Sequence, residues 1–169
     1  MSPQQLHRRT EPLAQEVRDK LDNWLTRYPT EHKQSGVLTA LHLTQEHNGG
    51  WLAPELLDAV AEYLEMPKVS VYEVASFYSM LELEPVGRHM ISLCSNISCM
   101  LRGADDLIQH VETTLGIKVG QTTPDGKITL KKEEECLAAC CGAPMMTVDG
   151  HYHENLTPEK VDAILAGLE

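Results

Sequence analysis

Four cysteines arranged in two close pairs constrain the fold of this chain more than any other feature. Four residues separate Cys94 from Cys99, and three residues separate Cys136 from Cys140. The two pairs lie far apart in the sequence, so only folding can bring their thiolates together. Four converging thiolates are the ligand set of an iron–sulfur cluster or of a structural zinc ion. A fifth cysteine, Cys141, directly follows Cys140 and leaves one thiol outside any set of four.

Three uses of these thiols compete. Disulfides need an oxidising compartment, and the polar N-terminal residues show no apolar secretory signal, so a reducing cytosol is expected. Structural zinc usually takes cysteines in tight C-x-x-C pairs, although wider intervals occur. A [2Fe–2S] cluster has two irons that each take two cysteines, and its greater width suits wider intervals within a pair. The spacing favours the cluster over zinc and leaves zinc open.

The composition limits the partners that the chain can bind. Twenty-five acidic residues against fourteen basic ones give a formal net charge of -11. This charge argues against nucleic acid as a partner and against direct binding to an anionic membrane. No apolar run approaches the length of a bilayer span, so no direct membrane insertion is expected.

The pattern of apolar residues divides the chain into three parts. Residues 1–10 are polar and predicted to be disordered, residues 11–86 are predicted to be helical, and residues 87–169 alternate between strands and helices. In the helical part, apolar residues recur at three- and four-residue intervals, with Thr10 and Pro12 at the predicted start of the first helix. The first predicted helix ends near Pro29. The other three are predicted to cover residues 36–47, 54–65 and 70–81.

The fourth helix is predicted to begin at Ser70, because the Ser70 hydroxyl and the Glu73 side chain match a capping box. Its apolar residues are Val74, Phe77, Tyr78 and Leu81.

The second half has the predicted order β-α-β-β-β-α. Strands are predicted at residues 90–93, 127–130, 144–148 and 151–154, and helices at residues 104–115 and 157–168. Each cysteine pair falls in a loop after a strand. A small sheet with helices packed on it could hold both loops at one end, which is the geometry that a cluster needs.

Several ordered motifs then resemble one family. Besides Cys94-x4-Cys99, they are residues 49–52 (GGWL), 71–78 (VYEVASFY), 85–88 (PVGR), 120–126 (GQTTPDG) and 136–146 (CLAACCGAPMM). From about Tyr28 to the C-terminus, the chain resembles the family of the 24 kDa subunit of respiratory complex I, also called its E subunit. The members of that family are thioredoxin-like [2Fe–2S] ferredoxins.

The resemblance implies an α+β architecture, with an N-terminal helical bundle followed by a thioredoxin-like [2Fe–2S] ferredoxin domain. It places the four ligands of one [2Fe–2S] cluster on Cys94, Cys99, Cys136 and Cys140, and leaves Cys141 outside the motif. The family usually has Gly at the position of Ala138, and a methyl group there is expected to require a negative φ.

The resemblance also implies an electron-transfer role within NADH:quinone oxidoreductase. The partner would be an F-type flavoprotein subunit, which binds FMN and NADH, within the larger complex I assembly. The location would be cytoplasmic, peripheral to the inner membrane through the complex. An equivalent subunit of an NAD-linked hydrogenase or formate dehydrogenase, and a zinc-stabilised interaction module, remain alternatives.

The residues add three expectations about mechanism. The chain lacks a G-x-G-x-x-G segment after a strand and a P-loop, so the isolated chain is not expected to oxidise NADH. It also lacks the C-x-x-C of a thiol oxidoreductase. Reduction adds charge to an already anionic cluster, so any of Glu133, Glu134 and Glu135 that points at the cluster would lower its potential.

Overall fold

The computed structural model describes residues 13–131 and 136–168. It divides into two compact units, Met1–Pro85 and Val86–Glu169, which are called the helical unit and the cluster unit below. The predicted disorder of residues 1–10 and the predicted helix start at Thr10 and Pro12 lie outside the described residues. Within those residues, no helix is both long enough and apolar enough to span a membrane.

The helical unit is built from amphipathic helices that share one apolar core. Its elements are α1 (Gln15–Leu25), a 3-10 segment (Thr30–Gly36), α2 (Val37–His47), α3 (Pro54–Tyr63) and α4 (Lys68–Phe77). Leu21, Leu41, Val60 and Val71, one from each α-helix, are fully buried in this core. The predicted stripes therefore face inward in α1, α2 and α3, as their three- and four-residue periodicity requires.

Helix α4 differs from its prediction at both ends. It begins at Lys68, after Pro67, and no side-chain capping bond forms, so the predicted capping box at Ser70 is wrong. Pro67 fixes the entering backbone at φ -58, and the Lys68 ammonium binds Asp58 of α3 at 2.6 Å. The helix ends at Phe77, whose side chain is 80% exposed, so Phe77 does not continue the buried stripe.

The cluster unit contains a four-stranded sheet in the order β2-β1-β3-β4. The strands are β1 (His89–Leu93), β2 (Ile128–Leu130), β3 (Met146–Val148) and β4 (His151–His153). Strand β1 pairs in parallel with β2 and antiparallel with β3, and β3 forms an antiparallel hairpin with β4. The helices are α5 (Ile97–Met100), α6 (Ala104–Leu115) and α7 (Pro158–Gly167).

The sheet and the two longer helices of this unit share a second core. Ile91 of β1, Leu130 of β2 and Met146 of β3 are fully buried, together with Val111 of α6 and Val161 of α7. Within the described residues, the predicted order of strands and helices is confirmed with two additions, the single-turn helix α5 and a 3-10 turn at Cys140–Gly142. The predicted α+β class is confirmed as well, because helices and a mixed sheet are both present.

Candidate metal centre

The first cysteine pair lies where strand β1 ends. Cys94 follows Leu93 directly, and its backbone N–H donates to the Met145 carbonyl at 3.2 Å, which extends the β1–β3 pairing by one step. Helix α5 then turns the chain so that Cys99 comes back toward Cys94. Both side chains are buried, at 3% and 1% exposure. The end of strand β1 and the short helix α5 therefore hold this pair in the protein interior.

The second pair lies on the loop that leads into strand β3. Cys136 and Cys140 are exposed, and a 3-10 turn (Cys140–Gly142) begins at the second of them. The Cys136 Sγ accepts a hydrogen bond from the Ala138 backbone N–H at 3.4 Å. Ala138 has φ +60, so the expectation that this position avoids positive φ is wrong. The loop adopts the left-handed conformation that the family's usual glycine would adopt without strain.

The two pairs meet in a small apolar cluster of their own. Cys94 and Cys99 share it with Ala104, Ala143 and Met145. Leu137 and Ala139, which lie between the two exposed cysteines, are half-buried against it. The fold thus brings the loop of the second pair onto the buried first pair, as expected from the sequence.

The ionisation of Cys99 reflects this convergence. Burial raises the pKa of the Cys99 thiol to about 11, helped by a hydrogen bond with the Cys94 side chain and by the nearby Cys140 side chain. A backbone hydrogen bond from Met145 acts in the opposite direction. Cys94 and Cys140, one from each pair, are therefore close enough to Cys99 to influence its charge.

The chemistry of this donor set fits an iron–sulfur cluster. All five cysteines are free, so the thiols are available as ligands. Backbone hydrogen bonds reach the sulfur atoms of Cys136 and Cys99, from Ala138 and Met145, and such bonds are a usual feature of iron–sulfur sites. In residues 13–131 and 136–168, no three or more His, Cys, Asp or Glu side chains, the cysteines included, already lie in an arrangement that could hold a metal ion.

Exposed apolar side chains surround the buried Cys99, a feature that sequence analysis did not identify. Ile97 is 63% exposed, Met100 43% and Leu101 75%. Ile97 and Met100 begin and end α5 and Leu101 follows it directly, and the three- and four-residue spacing from Ile97 places these residues on one face. That spacing was visible in the sequence, but a helix of four residues gives too short a pattern to be recognised.

Glu133, Glu134 and Glu135, which are predicted to influence the reduction potential of the cluster, lie outside the described residues.

Residues 21–169 match the family model of thioredoxin-like [2Fe–2S] ferredoxins. The chain belongs to this family. The thioredoxin-like fold expected from the sequence is thereby confirmed, and an iron–sulfur cluster is the cofactor that the family's description names.

Named relatives are similar over most of their length. The E subunit of NADH-quinone oxidoreductase from Rickettsia bellii (strain RML369-C) is 45% identical over 144 residues, which cover 85% of this chain and 86% of the relative. The E 2 subunit of NADH-quinone oxidoreductase from Rhizobium meliloti (strain 1021) is 44% identical over 149 residues, covering 88% of this chain and 86% of the relative. The predicted resemblance to the family of E subunits is therefore confirmed.

A solved structure shares the fold. The crystal structure of an NAD+-reducing [NiFe]-hydrogenase in the air-oxidised state matches with a TM-score of 0.66 at 22% identity. The match covers 79% of this chain and only 22% of the hydrogenase chain. At this identity the likeness concerns the fold alone.

Proposed function

We propose that this chain is the electron-transferring E subunit of an NADH:quinone oxidoreductase, respiratory complex I. The observation that carries the proposal is the 45% identity to a protein of that name over 85% of this chain and 86% of the relative. The buried cysteine pair and the loop that closes over it supply the matching chemistry. The likeness to a hydrogenase at 22% identity does not favour the hydrogenase alternative.

Cys94, Cys99, Cys136 and Cys140 are the proposed ligands of one [2Fe–2S] cluster. Such a cluster accepts and releases one electron at a time. The chain's own residues then have distinct tasks. Cys94 and Cys99 hold the group from the interior, where water is excluded, while Cys136 and Cys140 hold it from the surface. The backbone hydrogen bonds to Cys136 and Cys99 stabilise negative charge on the sulfur atoms.

The proposed partner is an F-type flavoprotein subunit that carries FMN and binds NADH. Both units offer it apolar surface. Phe77 and Val69 of the helical unit are 80% and 64% exposed, and Ile97 and Leu101 beside Cys99 are 63% and 75% exposed. Exposed apolar side chains of this size are typical of protein interfaces. The apolar surface around Cys99 would seat the flavoprotein next to the cluster, which shortens the path from FMN.

The assembled complex would hold this chain on the cytoplasmic side, peripheral to the inner membrane. The isolated chain would not oxidise NADH, because the flavin that accepts hydride belongs to the partner. Its contribution to the enzyme is to receive single electrons from that flavin.

The test is to purify the chain from its native host and to identify the subunits that accompany it. We expect a red-brown complex that survives gel filtration, contains the flavoprotein, and oxidises NADH with an artificial acceptor. The isolated chain should contain about two irons and two acid-labile sulfides and show no NADH oxidation. Stoichiometric zinc without iron after anaerobic purification would contradict the cluster, and the absence of any flavoprotein would contradict the partner.

Serine variants test the ligand set in the same preparations. Replacement of Cys94, Cys99, Cys136 or Cys140 should abolish or strongly distort the EPR signal of the reduced cluster. Cys141→Ser is the matched control, since Cys141 adjoins Cys140 and is exposed as well. Loss of the signal in Cys141→Ser would show that the fourth ligand is misassigned.

A further inference from the structure

Glu154 lies against the turn that carries Cys140, although it is distant from that turn in sequence. A Cβ atom added to Gly142 would lie 2.5 Å from Cδ and 2.6 Å from Cβ of Glu154, and would also overlap its Oε2. The Glu154 side chain therefore covers the backbone of Gly142, two residues after Cys140. Any larger residue at position 142 would have to displace the Glu154 side chain.

Backbone hydrogen bonds hold Glu154 in this place. The Asn155 N–H donates to the Gly142 carbonyl at 2.6 Å, and the Leu156 N–H donates to the Pro144 carbonyl at 3.0 Å. Leu156 is buried in the core of the cluster unit, which anchors the segment that follows strand β4. The backbone at Glu154 is thus held beside Gly142, which keeps the side chain of Glu154 next to the Cys140–Gly142 turn.

The charge of Glu154 has no opposite charge in contact with it within the described part of the chain. No ion pair or hydrogen bond of its carboxylate with residues 13–131 or 136–168 is present. A carboxylate is negative at neutral pH, and reduction adds one negative charge to the cluster. A negative charge that is not paired within the described residues and lies beside the turn of a proposed ligand makes that reduction less favourable.

We propose that Glu154 lowers the reduction potential of the iron–sulfur cluster through its position on the Cys140–Gly142 turn. This inference rests on the ligand set proposed above. Glu154 is exposed, so water screens its charge. We take an effective dielectric constant between that of water and that of a protein surface. Removal of the Glu154 charge should then shift the equilibrium between oxidised and reduced cluster toward the reduced state by roughly threefold to tenfold. For a one-electron couple, tenfold corresponds to about 59 mV.

The experiment is an EPR-monitored redox titration of the full chain with its cluster, using dithionite and soluble mediators at low salt. Glu154→Gln keeps the volume and removes the charge, so its midpoint potential should rise by the amount given above. Glu154→Asp keeps the charge, so its potential should stay nearer to that of the wild type. Glu112→Gln controls for the loss of one negative charge elsewhere in the same unit. Its carboxylate, in contrast to that of Glu154, pairs with Lys118 at 2.7 Å. Glu112 lies on α6, eight residues from the end of the helix nearest Cys99, which is about 12 Å along the axis.

Gly142→Ala provides an independent variant, since the added methyl group must push the Glu154 side chain away. The midpoint potential of Gly142→Ala should also rise. The potential of the double variant Gly142→Ala/Glu154→Gln should be no higher than that of Glu154→Gln alone. An unchanged potential in Glu154→Gln, or a rise equal to that in Glu112→Gln, would overturn the proposal. So would additive shifts in the double variant. A wild-type chain that holds no iron–sulfur cluster would instead refute the proposed function, so the two failures are distinguishable.

Discussion

At the scale of single residues, Ala138 is the one residue in the described part of the cysteine loop, residues 136–145, whose backbone conformation conflicts with its side chain. Its φ of +60 is unfavourable for any residue with a Cβ atom, by about 1–2 kcal/mol. The Ala138 N–H nevertheless donates to the Cys136 sulfur, so the conformation serves the proposed ligand loop.

Ala138→Gly should therefore stabilise the protein, by about 0.5–1 kcal/mol after the greater freedom of glycine in the unfolded chain is subtracted. The measurement is the free energy of unfolding in urea. The neighbouring Ala139 has φ -120, which any residue adopts, so Ala139→Gly is the control and should destabilise the protein. Equal effects of the two glycine substitutions would show that positive φ is not the cause.

The proposed cysteine ligands follow from the sequence, whereas the conformation at Ala138 could not be predicted from it. Cysteine spacing reports directly on ligand chemistry, and the surrounding motifs add the identity of the cofactor. The φ of Ala138 is imposed by closure of the loop onto the buried Cys94 and Cys99, which is a tertiary effect. The contact of Glu154 with Gly142 is invisible for the same reason, because the two residues belong to different segments.

At the scale of secondary-structure elements, a side-chain hydrogen bond joins α1 to α3. The Tyr63 hydroxyl of α3 donates to Asp22 Oδ1 of α1 at 2.5 Å. Burial raises the pKa of Tyr63 to about 12, and the hydrogen bond to Asp22 adds to the effect. The folded chain therefore holds the phenol proton more tightly than the unfolded chain, whose tyrosine titrates near pH 10.

This difference predicts a loss of stability at alkaline pH. The raised pKa of Tyr63 in the folded chain contributes to the free energy of unfolding. This contribution is fully present below pH 10 and disappears as the pH rises from about 10 to about 12. Because the pair is partly exposed to water, we expect roughly 1 kcal/mol for this contribution. The check is urea unfolding between pH 8 and 11.5, with Tyr63→Phe as the comparison. The variant should be less stable at pH 8 and should approach the wild type at pH 11.5; a constant gap would contradict the assignment.

Helices with a long apolar stripe could be predicted, and the short or irregular elements could not. Helices α2 and α6 end within one residue of their predicted limits, since periodicity over eleven or twelve residues is a strong signal. Helix α5 has four residues and no period to detect. The start of α4 was misplaced because Pro67 and the Lys68–Asp58 pair determine it instead of Ser70.

At the scale of the whole molecule, the two units have separate apolar cores. The residues of each core belong to one unit only, Leu13 to Leu81 in the helical unit and Ile91 to Leu165 in the cluster unit. All five cysteines lie in the cluster unit. We therefore propose that the cluster unit is a domain in its own right.

A fragment of residues 86–169 should accordingly fold and bind about two irons per chain, with the same EPR signal as the full chain. Iron analysis and EPR after anaerobic reconstitution make the comparison, and the same fragment carrying Cys136→Ser serves as the negative control. A fragment that stays colourless under conditions that load the full chain would show that the helical unit is required for the site.

The hydrogen bond between Cys94 and Met145 also limits how this chain can change in length. This hydrogen bond follows the Leu93–Met146 pair of the β1–β3 ladder. The register of the two strands therefore determines where Cys94 lies. Inserting or deleting one residue in β1 would turn Cys94 to the opposite face of the sheet, and the same change in β3 would turn the residues of β3 over instead. Strand β2 lies in the connection between β1 and β3 and is bound by the same rule, because it pairs in register with β1. Length variation can therefore accumulate only between these strands, while the few residues that lead up to Cys94 must keep their number.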